Sequence, residues 1–402
     1  MRIVGGIYQE RAIFPEDDVI YGSGGRAAAA LSSINPDITL TSFVGEDKRP
    51  DIEYYVKEVW GLNLDGYAVP EIVSFTYYHG SSPPIIRPKR LPVSNAPEIK
   101  VSDSVILQFG MLEGNAVVNG GRVIFDPQNP KKPEQFDANG STAEELAYVL
   151  NQSEVCKLTG KMDPIQAAQV LLGQPNVVVV VVKSGANGAV VHTESTTDHV
   201  EAYVTDNIWP IGSGDVFTAV FSHFWGIENA SPVEAARYAS RGSALYCDRR
   251  QIPLHRNDLT GEDFIFASLT PSRKPSEAEI YLAGPFFTMS QLWLVEEART
   301  AFQSAGFRLF SPYHDVGTGD ADKVVPADIQ GIEAADAVFA LCDGTDAGTL
   351  FEVGYAVKKG LPVIAFSAQK NNESMKMLRG TGCKVFHDFT TAIYHAQWEA
   401  LK

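Results

Sequence analysis

Near the C-terminus the chain reads CDGTDAGTLFEVGYAVKKG (342–360), and a carboxylate, Glu352, stands there in an apolar run six residues after a second acid, Asp346. An acid in such a place has two possible uses. Thr349 followed by Glu352 spells a T-x-x-E capping box, which makes Glu352 a helix-end residue and nothing more. Lys358, Lys359 and Gly360 close the same helix at its other end. The second use is chemical. A carboxylate facing an anomeric carbon can stabilise, or bond to, the positive charge that builds as an N-glycosidic bond breaks, and a second acid can protonate the departing base. The stretch GTDAGT can bring Asp346 and Glu352 to one pocket, and a first-turn position would favour the anionic form of Glu352. Upstream, PADIQGIEAADAVFALCDG offers Asp328 and Asp336, and YLAGPFF (281–287) offers Tyr281, a close-approach Gly284 and two aromatics, Phe286 and Phe287.

A different chemistry is suggested by IGSGDVFTAVFSHFW (211–225). Gly212, Ser213 and Gly214 precede an apolar helix, so consecutive backbone N–H groups can turn toward an anion and the helix dipole adds a favourable field. Asp215 in the first turn is placed to take a proton from a hydroxyl that attacks a phosphoryl group. Taken alone, the stretch is equally a glycine-rich turn with an acid at a helix N-terminus.

The elements that must position these residues fall into two α/β stretches, separated by TPSRKPSE (270–277), which is rich in Pro, Ser and charge. In the second stretch, EIYLAG, RLFS, AVFALC, PVIAF and KVF read as short strands. Val295, Ala298, Phe302 and Ala305 mark one helix, ended by Gly306, and Ala327 to Ala334 another. Strands spaced by helices imply a parallel, doubly wound sheet with ligands beyond the strand C-termini. In the first stretch the six valines of NVVVVVVK (176–183) read as a strand buried on both faces. SPVEAARYASRGSAL opens a helix capped by Ser231, and residues 80–92 read as a lid-like connection. The expected domains are 1–268, a linker at 269–278, and 279–402.

Composition narrows the classes. The chain has 402 residues, enough for two domains, and its net charge of −16 argues against a nucleic-acid or membrane-surface partner. Cys156, Cys247, Cys342 and Cys383 show no metal-ligand spacing and read as buried thiols in a reducing compartment. No signal-peptide core or membrane-spanning run is present, and a cytoplasmic location is expected.

Several stretches of residues 1–268 resemble the ribokinase-like (PfkB) sugar and nucleoside kinases. YGSGGRAAAALSSINPDITLTSFVGED resembles the Gly-Gly segment, IFDPQN the Asp-Pro-Asn strand end and LNQSEV the N-x-x-E element. VVVKSGANGAVV resembles the nucleotide-side turn, and GSGD the anion hole. The resemblance implies a ribokinase-like α/β/α fold, ATP and Mg2+ as cofactors, and Asp215 as catalytic base. Gly24 and Gly25 would lie on the substrate side; Gly212, Ser213, Gly214 and Lys183 would lie at the phosphates, and Asn151 and Glu154 near magnesium and phosphate. Two departures stand out: Trp209-Pro210 replaces the Asp-Thr that usually precedes the anion hole, and Glu10 is only a weak substitute for the sugar-contacting Asp.

Residues 279–380 resemble the nucleoside 2-deoxyribosyltransferases through YLAGPFF, the DIQGI helix and D-x-G-x-x-x-E-V-G-Y-A, in order and spacing. That resemblance implies a Rossmann- or flavodoxin-like domain without a cofactor. Glu352 would be the nucleophile, Tyr281 would orient it, and Asp328 and Asp346 would contact the base and handle its proton; Asp336 reads as structural. It further implies a homo-oligomer in which a neighbouring subunit completes the pocket, with Asn372 and Met375 as candidates. The expected function is nucleoside or nucleotide salvage, by transfer or by hydrolysis. The rivals are a deoxynucleoside monophosphate N-glycosidase, and an inactive kinase fold that senses a nucleotide and gates a nucleotide-consuming glycosidase.

Overall fold

The valine run forms the strand Val177–Lys183, paired in parallel with Thr142–Asn151 and antiparallel with Ala189–His192. Alternate side chains serve two cores, Val179 and Val181 with Leu107, Val149 and Phe221 on one face, Val180 and Val182 with Ile106, Val123 and Tyr148 on the other. The computed structural model describes residues 1–89, 98–129, 131–262, 264–369, 373 and 375–402. These residues divide into two units, Met1–Thr205 with Trp209–Ser268, and Asp206–Ile208 with Leu269–Lys402.

The first unit is built on a nine-stranded sheet, in the order 197–200, 189–192, 177–183, 142–151, 116–126, 99–109, 2–4, 39–45 and 63–69. All pairs are parallel except the two at the 197–200 edge. Apolar clusters on both faces make it an α/β/α sandwich, the ribokinase-like arrangement. A second sheet joins Asp17–Ile20, Gln9–Ala12, Ser74–Tyr77 and Ile85–Arg87. Part of the lid expected at 80–92 is therefore a strand of this sheet, and residues 90–92 lie outside the described residues.

The second unit holds five parallel strands in the order Arg308–Phe310, Glu279–Ala283, Ala337–Leu341, Val363–Phe366 and Lys384–Phe386. In chain order this is 2-1-3-4-5, a doubly wound sheet whose direction of winding reverses between Glu279–Ala283 and Ala337–Leu341. The helix expected at 327–334 begins six residues earlier, at Ala321, and carries Pro326 inside it. Of the cysteines, Cys342 and Cys383 are buried, whereas Cys156 and Cys247 are half-buried; all four are free thiols.

Candidate functional sites

The reversal of strand order is where open α/β sheets leave a crevice. Tyr281 stands on the strand Glu279–Ala283 with its ring buried and stacked on Phe310 at 5.5 Å. Its hydroxyl donates to Glu352 Oε1 at 2.9 Å. Glu352 belongs to the helix Ala347–Lys359, which follows the next strand of the sheet. The helix does not begin as the T-x-x-E pattern suggests. Gly344 and Thr345 take positive φ, the turn closes early, and Asp346 is the N-cap, its Oδ2 accepting from Thr349 N–H at 2.9 Å and Thr349 Oγ1 at 3.1 Å. Glu352 therefore sits in the second turn and caps nothing. The expectation of a carboxylate made anionic by first-turn dipole is overturned. Glu352 is raised to about 7, by burial first and then by the charges of Asp328 and Asp346, against the pull of the Tyr281 hydrogen bond. Tyr281 is raised too, by burial first and then by the Glu352 charge.

Asp328, on the helix Ala321–Ala334, lies within electrostatic reach of both groups. Its Oδ1 is buried and accepts no hydrogen bond, and burial raises its pKa. Tyr281, Glu352 and Asp328 thus form one cluster. The other candidates sort differently. Asp346 shares the cluster's field, but its Oδ2 holds the helix terminus. Phe286 packs on Tyr313 at 5.1 Å, and Phe287 is 72% exposed. A side chain at Gly284 would press on Leu341 at 3.0 Å, so that glycine answers to strand packing. Met375 is buried in the core of its own unit with Leu378 and Val353, and Asn372 lies outside the described residues. Asp336 accepts from Glu279 N–H at 2.8 Å and pairs with Arg273, the structural role expected of it.

In the first unit Gly212, at φ +80°, turns the chain into the helix Ser213–Phe221, with Asp215 in its first turn. The first turn of a helix leaves N–H groups free for an anion. Ser213 Oγ, however, donates back to Pro210 O at 2.9 Å. Asp215 is buried, and both its oxygens are engaged: Oδ2 by Arg26 Nη1 at 3.0 Å, Oδ1 by Gln128 Nε2 at 2.7 Å. Arg26 is 1% exposed. It also binds Glu10 through both terminal nitrogens, and its Nε donates to Tyr246 Oη at 3.0 Å. A Cβ at Gly212 would fall 2.2 Å from the guanidinium, so Arg26 packs directly on the cradle. Burial raises Asp215, with Arg26 and Gln128 pulling it back. Gly24 lets the helix Gly22–Leu31 approach Gly5, where a Cβ would stand 2.6 Å from backbone, whereas a Cβ at Gly25 would make ordinary contact with Ile7 and Trp60 at 3.7 Å.

The capping box expected at Thr349 is found instead at Asn151, whose Oδ1 accepts from Glu154 N–H at 2.9 Å while Glu154 Oε2 accepts from Asn151 N–H at 3.0 Å. Lys183 Nζ donates to Asp126 Oδ2 at 2.6 Å. Among the described residues no group of three or more His, Cys, Asp or Glu is arranged to hold a metal ion.

Residues 280–390 match the family model described as nucleoside 2-deoxyribosyltransferase, and residues 121–252 match that of the pfkB family carbohydrate kinases. The chain joins a pfkB-like kinase segment to a nucleoside 2-deoxyribosyltransferase-like segment. Solved structures similar to it include ribokinase from Thermotoga maritima, at 17% identity over 62% of this chain and 93% of that chain, with a TM-score of 0.44. Ribokinase from Arabidopsis thaliana complexed with ribose and ATP gives 18%, 61%, 91% and 0.45. Fructokinase from Vibrio cholerae O395, in its fructose, ADP and calcium ion bound form, gives 15%, 62%, 93% and 0.43. No curated protein matches.

The deoxyribosyltransferase-like cluster was readable in the residues quoted for it. Arg26, Gln128 and Tyr246 of the kinase-like segment were not. Arg26 stood in the quoted GGRAAAA stretch, yet its type gave no hint that it would reach an acid 189 positions away.

Proposed function

We propose that the second unit cleaves the N-glycosidic bond of a nucleoside or nucleotide, with Glu352 as nucleophile. The observation that carries this reading is the hydrogen bond from buried Tyr281 to Glu352, at the strand-order reversal with Asp328 beside it. Glu352 attacks the anomeric carbon and forms a glycosyl ester as the bond to the base breaks. Asp328, beside the nucleophile, handles the proton of the leaving base by way of a water it holds. Attack on the ester by water completes hydrolysis; attack by a second base completes transfer. Asp346 fixes the helix that carries the nucleophile. The deciding experiment incubates the protein with a panel of nucleosides, 2′-deoxynucleosides and their 5′-monophosphates, with and without a second free base, and separates the products by chromatography. Glu352→Gln should lower base release by orders of magnitude; turnover near that of the wild type would remove the assignment.

For the first unit, a kinase-like reading puts the phosphates of ATP at Gly212–Gly214 and makes Asp215 the base. One observation favours a second reading, ligand binding without turnover: both Asp215 oxygens are held, and Arg26 packs against the cradle glycine. We infer that this unit binds a phosphate-bearing ligand and does not transfer phosphate. Assay of ATP consumption with a panel of sugars and nucleosides checks this. A phosphorylated product made by the wild type and lost in Asp215→Asn would restore the kinase reading.

A further inference from the structure

In the first unit a cation already stands among the oxygens that a phosphate-bridging metal would need, and Asp126 Oδ2 and the Glu154 carboxylate are already bonded within the chain. Asp126 ends the strand Ala116–Asp126, and its side chain is 2% exposed. Its Oδ2 accepts from Lys183 Nζ at 2.6 Å and from Thr218 Oγ1 at 3.0 Å. Lys183 ends the strand Val177–Lys183 beside Asn151, so its side chain crosses the end of an intervening strand to reach Asp126. Glu154, 3% exposed, is coupled electrostatically to both Asp126 and Lys183, and its carboxylate accepts backbone N–H groups of Asn151 and Asn129. A Cβ on Gly214 would lie 3.5 Å from Lys183 Nζ, which puts the ammonium at the wall of the anion cradle.

These residues do not fit magnesium. A Mg2+ ion takes six oxygens at about 2.1 Å in near-ideal octahedral geometry. Here Asp126 Oδ2 is filled by an ammonium and a hydroxyl, and Asn151 Oδ1 by a helix N–H. An ammonium has three N–H bonds. Two of them have protein partners, Asp126 and Thr218 at 3.3 Å. The third remains for a phosphate oxygen, the point-charge contact that lysine makes in other phosphate sites.

We propose that Lys183 is the resident cation of the first unit, standing where a divalent metal would bridge Asp126, Glu154 and the anion cradle, so that the phosphate groups of a nucleoside polyphosphate bind there without a metal ion. This rests on the cradle reading of the first unit and is independent of the glycosidic reading of the second, since base release does not enter the test. The test uses the full chain and two probes. Mn2+ is titrated and followed by electron paramagnetic resonance, and ATP is titrated by calorimetry in chelator or in excess magnesium at matched ionic strength. Wild type should hold no Mn2+ that Asp126→Asn removes, and should bind ATP with affinities that agree within about threefold in the two buffers. Lys183→Ala should gain a Mn2+ site that the double variant with Asp126→Asn lacks, and its ATP affinity should fall about tenfold in chelator and recover with magnesium. Lys183→Met, which keeps the packing of the side-chain stem, replaces the alanine variant if that one does not fold; the wild-type arms need neither. The proposal is overturned by a wild-type Mn2+ site lost in Asp126→Asn, by wild-type ATP binding that requires magnesium, by a Lys183 variant that gains no metal site, or by no ATP binding in either buffer.

Discussion

Glu352→Gln should make the protein more stable at pH 8 while destroying base release. In the folded chain burial lifts this carboxyl from 4.5 to about 7. A carboxylic acid raised in this way binds its proton more tightly folded than unfolded, so between those two values stability falls as pH rises, and the whole cost is present above pH 7. At 1.36 kcal/mol per pH unit, the interval from 4.5 to about 7 corresponds to about 3 kcal/mol. Glutamine carries no charge and can still accept the Tyr281 hydrogen bond, so the substitution removes most of that cost. With a shift in Tm of about 3 °C per kcal/mol, the variant should melt several degrees above wild type at pH 8. Near pH 4.5, where the wild-type residue is protonated in the folded state, the difference should vanish. Paired thermal melts at the two pH values, with base release measured on the same samples, make the assay. A variant that melts below wild type at pH 8, or shows the same offset at both pH values, would refute the claim that an ionised Glu352 is held at a cost for function.

Three further outcomes are expected. Base release by the wild type should rise as pH passes about 7 and Glu352 ionises; Tyr281→Phe deletes a hydrogen bond to the anion, worth about 1.5–3 kcal/mol, and should move that limb about 1–2 pH units higher in a pH–rate profile. Asp346→Ala removes an N-cap and should cost about 1 kcal/mol in denaturant unfolding, while Asp346→Asn, which caps equally well, should stay near wild type. In the second unit Phe287, Met289 and Phe351 are 72%, 88% and 61% exposed; sedimentation of the full chain should show self-association that Phe351→Glu weakens, and a monomer at all concentrations would remove that expectation.

The strands of the second unit were legible because each is a short, mostly apolar run between helices; KVF was read to the residue. The cluster of Tyr281, Asp328 and Glu352 was legible because three spaced stretches point to one end of one sheet. The start of the helix was not. T-x-x-E satisfies the capping pattern, but the turn is set by positive φ at Gly344 and Thr345, which hands the cap to Asp346. In the first unit, GSGD and N-x-x-E showed where the turns and the helix ends fall. They did not show which charges meet there: Arg26 with Glu10 and Asp215, and Lys183 with Asp126. Such pairs are made by the topology, which brings together helices and strand ends far apart in the chain, Arg26 and Asp215 from two helices and Lys183 and Asp126 from two strand ends, and no local pattern records it.

The most direct measurement of the central claim is the covalent state of Glu352 during turnover. Wild-type protein is mixed with a nucleoside that it cleaves, quenched in acid and digested, and the peptide containing Glu352 is examined by mass spectrometry. The account predicts a pentosyl ester on Glu352 that builds up as base appears, decays once substrate is spent, and is absent from Glu352→Gln. Base release that proceeds undiminished in Glu352→Gln, with no adduct on this peptide in the wild type, would contradict it.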